Sequence, residues 1–254
     1  MQQAPLPASF LAAPIAHRGL HDLANGVPEN SLASFDAAIA NGYGIELDLQ
    51  MSADGVAMVF HDYSLERLTG EKGAVAQRTA HQLGQIPLTG GQEGIPTLAQ
   101  TLALVAGRAP LLIEIKDQDG ALGPNVGPLE EAAVKALTGY AGDVALMSFN
   151  PHAVAALAKL APHIPRGLTT CNYDPKDWTT IPKARLAELV PIPDFTRTSA
   201  GFISHQASDL ASPHVAALKA QGVPVLCWTI RTSMEEAAAR KLADNVTFEG
   251  YLPA

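Results

Sequence analysis

The sequence predicts an α/β protein folded as a (β/α)8 TIM barrel, with a small inserted segment after a β-hairpin at the second strand. Three observations carry this prediction. The 254-residue length matches the roughly 250 residues of one such barrel. Short β-rich runs alternate with Ala- and Leu-rich helical patterns from end to end, which is the signature of a parallel α/β fold. The runs number eight, at residues 15–19, 45–51, 111–116, 144–149, 167–170, 201–205, 223–230 and 246–249. Alternation alone would also permit an open doubly wound sheet, and the count of eight favours closure.

In chain order, the first run, IAHRG, precedes a helical pattern at 31–41 in which Leu32, Phe35 and Ile39 recur on one face, with Gly42 just beyond the end. Asn30 or Ser31 reads as the N-cap of that helix. The second strand, 45–51, alternates acids with Ile and Leu. The next strand-like run, 56–61, follows after only Ser52, Ala53, Asp54 and Gly55, whereas a parallel crossover needs ~10 to 12 residues. It must turn back antiparallel. Asp54-Gly55 is a good hairpin dipeptide, and pairing about it would carry His61 down beside Glu46 and Leu47. Residues 62–96 are polar, Gly-rich and weakly periodic, and read as an insertion or lid. Helical patterns at 98–106, 129–137, 152–160, 183–189, 213–220 and 233–242 fill most of the remaining gaps between strands.

Composition narrows the function classes. The chain is 47% hydrophobic and 17% charged, an ordinary globular balance, with a net charge of −8 and a pI near 5.4. No Lys/Arg run interleaves with aromatics, so nucleic acid is not an expected partner. A small anionic substrate fits, because a local site can oppose the global field. No stretch approaches the ~20 apolar residues of a membrane span, so stable membrane insertion is not expected, and residues 1–15 lack a basic start followed by an apolar run. The expectation is a cytoplasmic enzyme; assembly as a homo-oligomer is left open. Cys171 and Cys227 end apolar runs without metal-ligand spacing and read as buried free thiols.

Three segments carry chemistry. In a barrel the C-terminal strand ends face the active site, which places His17 and Arg18 for proton transfer and phosphate binding, unless they form a structural pair at a strand end. Glu29 could orient Arg18, support a metal shell, or be a solvated loop carboxylate. Glu46 and Asp48 are two residues apart on a strand and project to one face, into the barrel if Ile45, Leu47 and Leu49 take the helix-facing side. Two inward acids in a dry core imply a cation. In LLIEIKD the same arithmetic pairs Glu114 with Lys116 on the inner face. Three carboxylates without Cys suit Mg2+ or Ca2+ better than Zn2+. Trp228 reads equally as a stacking platform or as core filler. His205 is at a strand end and reads as a satisfied structural group, as do His21, His81, His152, His163 and His214 in loops or at helix ends.

HRG with PEN, then GIELDLQMSADGVAMVFHDYSLERLTG, then IEIK and a late CWTI resemble, in order and over nearly the whole chain, the glycerophosphodiester phosphodiesterase family. The stretch from Ala16 to Gly70 is the most specific part. The resemblance implies a divalent metal, Mg2+ or Ca2+, held by Glu46, Asp48 and Glu114, with His17 and His61 as an acid-base pair. It also implies Arg18 and Lys116 on the phosphate of a small-molecule phosphodiester, and Trp228 near the alcohol moiety. Two positions depart from the family pattern: Arg231 stands where many relatives have Asn, and TFEG at Thr247 to Gly250, with Glu249, stands where they have a TD dipeptide. Two other readings are a related barrel phosphodiesterase acting on lysophospholipid or phosphoinositide head groups, and a catalytically silent phosphoester-binding barrel.

Overall fold

The computed structural model describes residues 4–253. In chain order the elements are α1 (Ser9–Ala12), β1 (Ile15–Ala16), α2 (Leu32–Ala40), β2 (Gly44–Met51), β3 (Ala57–Val59), α3 (Glu66–Thr69), α4 (Ala80–Leu83), α5 (Leu98–Val105), β4 (Leu111–Ile115) and α6 (Pro128–Leu137). They continue with β5 (Val144–Ser148), α7 (Pro151–Leu160), β6 (Arg166–Thr170), α8 (Lys183–Leu189), β7 (Phe202–Gln206), α9 (Pro213–Ala220), β8 (Val225–Ile230), α10 (Ser233–Ala239) and β9 (Asn245–Phe248). The strand order is β1-β9-β8-β7-β6-β5-β4-β2-β3, and β1 also pairs with β2, so that eight strands close on themselves as a (β/α)8 TIM barrel and β3 is appended to β2. The chain forms two compact units, one of residues 16–116 and 128–144, the other of residues 4–15, 117–127 and 145–253.

In the first unit, β2 and β4 run parallel with Glu46 opposite Leu112 and Asp48 opposite Glu114. Side chains directly opposite in a ladder share a face, so the two acidic staves present their carboxylates side by side. β3 returns antiparallel on the C-terminal part of β2, with Leu49 opposite Val59 and Met51 opposite Ala57. The hairpin is therefore as the short loop required, although the regular strand stops at Val59 rather than at His61.

Residues 62–96, read as a polar insertion or lid, carry apolar residues of a small core. Leu65, Leu68, Val75, Leu83, Leu88 and Ile95 form a small core with Met58 and Phe60 of the hairpin. Antiparallel bridges at Ser64–Ala74 and Pro87–Gly94 close its two loops. The short helices α3 and α4 are too brief for a 3.6-residue period to register in the sequence, which is why the segment reads as irregular.

α2 begins at Ser31, whose hydroxyl accepts from Ser34 N, and Ser34 Oγ accepts from Ser31 N in return. Its buried stripe is Ser34, Phe35 and Ala38, with Leu32 and Ile39 only half-buried at the flanks. The first strand ends two residues into the expected run, because Arg18 (φ 56°) and Gly19 (φ 79°) adopt left-handed backbone and turn the chain. Gly19 is required there twice over: a Cβ would collide with the Ser34 side chain and the Phe35 ring, and the positive φ strains any L residue.

In the second unit, β6 to β9 form a parallel run of strands. Phe149, Tyr173, Trp178 and Trp228 pack with Leu122, Cys171, Ile181, Leu186 and Leu189 into one cluster. The helix expected at 233–242 stops at Ala239.

Candidate active site

The left-handed turn after β1 directs the backbone N–H of Arg18 to Glu46 Oε2 at 3.0 Å. It also brings Arg18 Nε within 3.3 Å of Asp48 Oδ2, and His17 Nε2 stands 4.0 Å from Glu46 Oε2. Glu46, Asp48 and Glu114 are all buried, and each offers an oxygen within 4.8 Å of the others. Lys116 Nζ lies 2.8 Å from both Asp48 Oδ1 and Glu114 Oε1. Six of the residues picked out in the sequence thus meet in one place.

The electrostatics of the cluster follow from burial and from the order of neighbours. Burial pushes the Glu46 carboxyl well above the usual range, and the charges of Asp48 and Glu114 push it further. Burial also acts upward on Asp48, but Lys116, His61, Arg18 and His17 hold it well below the ordinary value. The Lys116 ammonium is disfavoured by burial and then raised above its ordinary value by Asp48 and Glu114. Glu46 is the carboxyl that asks for more positive charge. Three buried, closely spaced carboxylate oxygens form an all-oxygen donor set that fits a hard divalent cation.

The contacts of Asn30 with Asp48 and of Glu29 with Arg67 are not evident in the sequence. Asn30 is fully buried and does not cap α2; its Nδ2 donates to Asp48 Oδ2 at 2.9 Å, and its Oδ1 accepts from Asp48 N at 3.4 Å. Its φ of 55° is one that Asn tolerates better than most residues. Glu29 resolves among its alternatives as the partner of Arg18, accepting from Arg18 Nη1 at 2.6 Å. On its other side Glu29 accepts from Arg67 of α3 at 3.0 and 3.1 Å.

His61 is held by its chain neighbour. Its Nδ1 is 2.6 Å from Asp62 Oδ1, its carbonyl accepts from Gln50 Nε2 at 3.0 Å, and Asp62 in turn accepts from Arg67 Nε at 2.7 Å and Nη2 at 2.8 Å. Burial acts upward on the Asp62 carboxyl, yet Arg67 and His61 hold it far below its ordinary value.

Trp228 belongs to the second unit and is neither simply core nor simply platform. Its ring meets Phe149 edge-on at 5.5 Å, its Nε1 donates to Ser204 O at 3.0 Å, and its half-buried face lines a groove of about 510 Å³ with Gln206, Ser208 and Arg231. Arg231 and Glu249, the two departures from the family pattern, are 2.7 Å apart as an ion pair. His205 is satisfied on both nitrogens, by Thr170 Oγ1 at 2.7 Å and Asp209 Oδ2 at 3.1 Å. Cys171 and Cys227 are buried and unbridged, and burial pushes both thiols up to about 12, which leaves them protonated.

Comparison with known proteins identifies the family. The model of the glycerophosphoryl diester phosphodiesterase family matches residues 17–247. A glycerophosphodiester phosphodiesterase of Caldanaerobacter subterraneus is 36% identical over 164 residues, which is 61% of this chain and 65% of that relative's length. An Oleispira antarctica phosphodiesterase, solved in complex with the product sn-glycerol-3-phosphate, superposes with a TM-score of 0.75 at 26% identity and covers 95% of this chain and 94% of its own. A glycerophosphodiester phosphodiesterase from Parabacteroides distasonis, at 22% identity, shares the fold with a TM-score of 0.71 over 92% of this chain and 91% of its own. With the family match running from the first histidine of the cluster to the last strand, the chain belongs to the glycerophosphoryl diester phosphodiesterase family.

Proposed function

We propose that this protein hydrolyses small glycerophosphodiesters to an alcohol and glycerol phosphate, in a metal-dependent reaction with His17 and His61 as its acid-base pair. The observation that carries the reading is the buried cluster of Glu46, Asp48 and Glu114 with Arg18 and Lys116 against it. The relative from Oleispira antarctica, solved with sn-glycerol-3-phosphate, supports the choice of product.

Glu46, Asp48 and Glu114 would hold a divalent ion, Mg2+ or Ca2+. When bound, the ion supplies positive charge against the phosphate's nonbridging oxygens. Arg18 and Lys116 bind the same phosphate and neutralise the charge that gathers there in the transition state, which is the main electrostatic task in phosphoryl transfer. One histidine takes the proton of the nucleophile, and the other protonates the leaving alkoxide. Each positioned proton-transfer group contributes about 10²-fold to 10⁴-fold.

Turnover of glycerophosphocholine with and without chelator tests the reading. EDTA is expected to abolish hydrolysis and Mg2+ or Ca2+ to restore it. Full activity in rigorously metal-free protein overturns the metal dependence, and no turnover of any glycerophosphodiester with metal present overturns the activity.

A further inference from the structure

We propose that Arg67, on the inserted segment, is a positioning residue that sets the orientation of both His61 and Arg18 through two carboxylates; the proposal rests on the acid-base reading of this site. The geometry is that of a double clamp. Arg67 Nε and Nη2 donate to the two oxygens of Asp62 at 2.7 and 2.8 Å, and Nη1 and Nη2 donate to the two oxygens of Glu29 at 3.0 and 3.1 Å. Each carboxylate then uses one oxygen on a functional group, Asp62 Oδ1 on His61 Nδ1 at 2.6 Å and Glu29 Oε1 on Arg18 Nη1 at 2.6 Å. A single planar guanidinium thus ties together the loop after β1, the end of the hairpin and α3.

The chemistry explains why the residue is an arginine. A fork of donors can pair bidentately with two carboxylates at once, which the point charge of a lysine cannot do. A carboxylate on Nδ1 selects the tautomer with the proton on that nitrogen and leaves Nε2 as the working atom of His61. Without Arg67, Asp62 and Glu29 become two carboxylates with no common cation between them, and both orientations loosen.

α3 is itself fixed. Leu65 and Leu68, on either side of Arg67, sit in the small core of the insertion. The same segment is anchored to α2, where Glu93 Oε2 accepts from Ala33 N at 3.2 Å. The insertion's core therefore holds the Arg67 side chain in register with the site.

The test compares Arg67→Met, Asp62→Asn and the double variant, with His61→Ala as the reference, by steady-state kinetics on glycerophosphocholine and by 15N NMR of the His61 ring above its titration. Arg67→Met is expected to lower kcat by about 10²-fold, the scale on which a displaced group costs rate. In the Asp62→Asn background the same change should cost clearly less than that ~10²-fold, since the path to His61 is already weakened and only the path through Glu29 to Arg18 remains to be lost. The His61 nitrogen shifts should move from the Nδ1–H tautomer toward a mixture in Arg67→Met. Multiplicative losses together with an unchanged His61 tautomer would overturn the proposal and leave Arg67 as a structural residue. Wild-type kcat in His61→Ala would instead remove the acid-base reading, and the NMR result would still decide whether Arg67 orients the ring.

Discussion

Replacing Lys116 with Met keeps the four-atom stem of the side chain but removes the ammonium from among three buried carboxylates. Lys116 Nζ is 2.8 Å from Asp48 Oδ1 and from Glu114 Oε1, and the three side chains are 12%, 1% and 8% exposed. Solvent screening is therefore slight, and the loss belongs to the broken buried pair, about 3–5 kcal/mol. Arg18, at 3.3 Å from Asp48, remains as partial compensation. With a urea m-value of about 2–3 kcal/mol/M, the unfolding midpoint in EDTA at pH 7 should fall by about 1–2.5 M.

The loss should also depend on pH and on divalent ions. In the wild type the Asp48 pKa is depressed, so its stabilisation is present above the unfolded carboxylate value of about 4 and is lost as pH falls through the folded value. In the variant, carboxyls left beside like charges have raised folded pKa values, and their stabilisation is present below about 4 and lost as pH rises. Between pH 7 and 5 the variant's raised carboxyls take up protons and narrow the gap, and the loss of the wild-type Asp48 contribution follows only below about 4. Saturating Ca2+ at 100 times its Kd would restore about 2.7 kcal/mol if the carboxylates bind it. A loss under about 1 kcal/mol in EDTA at pH 7, or a gap that does not narrow with acid, would refute this account of the cluster.

Further outcomes are expected. Asn30→Ala removes a bond to a carboxylate worth about 1.5–3 kcal/mol and leaves at φ 55° a residue that lacks the short polar side chain by which Asn tolerates left-handed backbone, adding up to about 1 kcal/mol; Asn30→Gly should lose less by denaturant titration, and equal losses would discard the backbone component. If His61 is the acid, His61→Ala should lose most kcat/KM on glycerophosphocholine and less on a p-nitrophenyl diester, while His17→Ala should hurt both substrates alike; the opposite pattern exchanges the two roles. The Arg231–Glu249 pair is 60% and 20% exposed, so a double-mutant cycle should give under about 1 kcal/mol of coupling that declines with salt; coupling that is larger and salt-independent would contradict a screened surface pair.

Much of the site is legible because the signals are local. Glu46 and Asp48 share a face by the two-residue period of a strand, Glu114 and Lys116 do so by the same rule, and the short Asp54-Gly55 loop forces β3 to turn back toward the acids. These depend on neighbours within a few residues, and the ladder of β2 with β4 then sets Asp48 beside Glu114. The insertion is harder to read, because its apolar residues contribute to a core only after the chain has folded back between Met58 and Ile95.

What the sequence by itself determined is therefore the barrel rhythm, the inward acids and the antiparallel hairpin, each a consequence of backbone periodicity or loop length. Only the tertiary structure decided that Asn30 serves Asp48 rather than capping α2, that Glu29 and Asp62 share Arg67, and that Arg231 and Glu249 form an ion pair. Arg67 lies 38 residues from Glu29, and Arg231 lies in a different loop from Glu249. No backbone period links such positions; their charges meet because packed segments bring them within hydrogen-bond range, where the energy of the contact depends on distance and burial rather than on sequence separation.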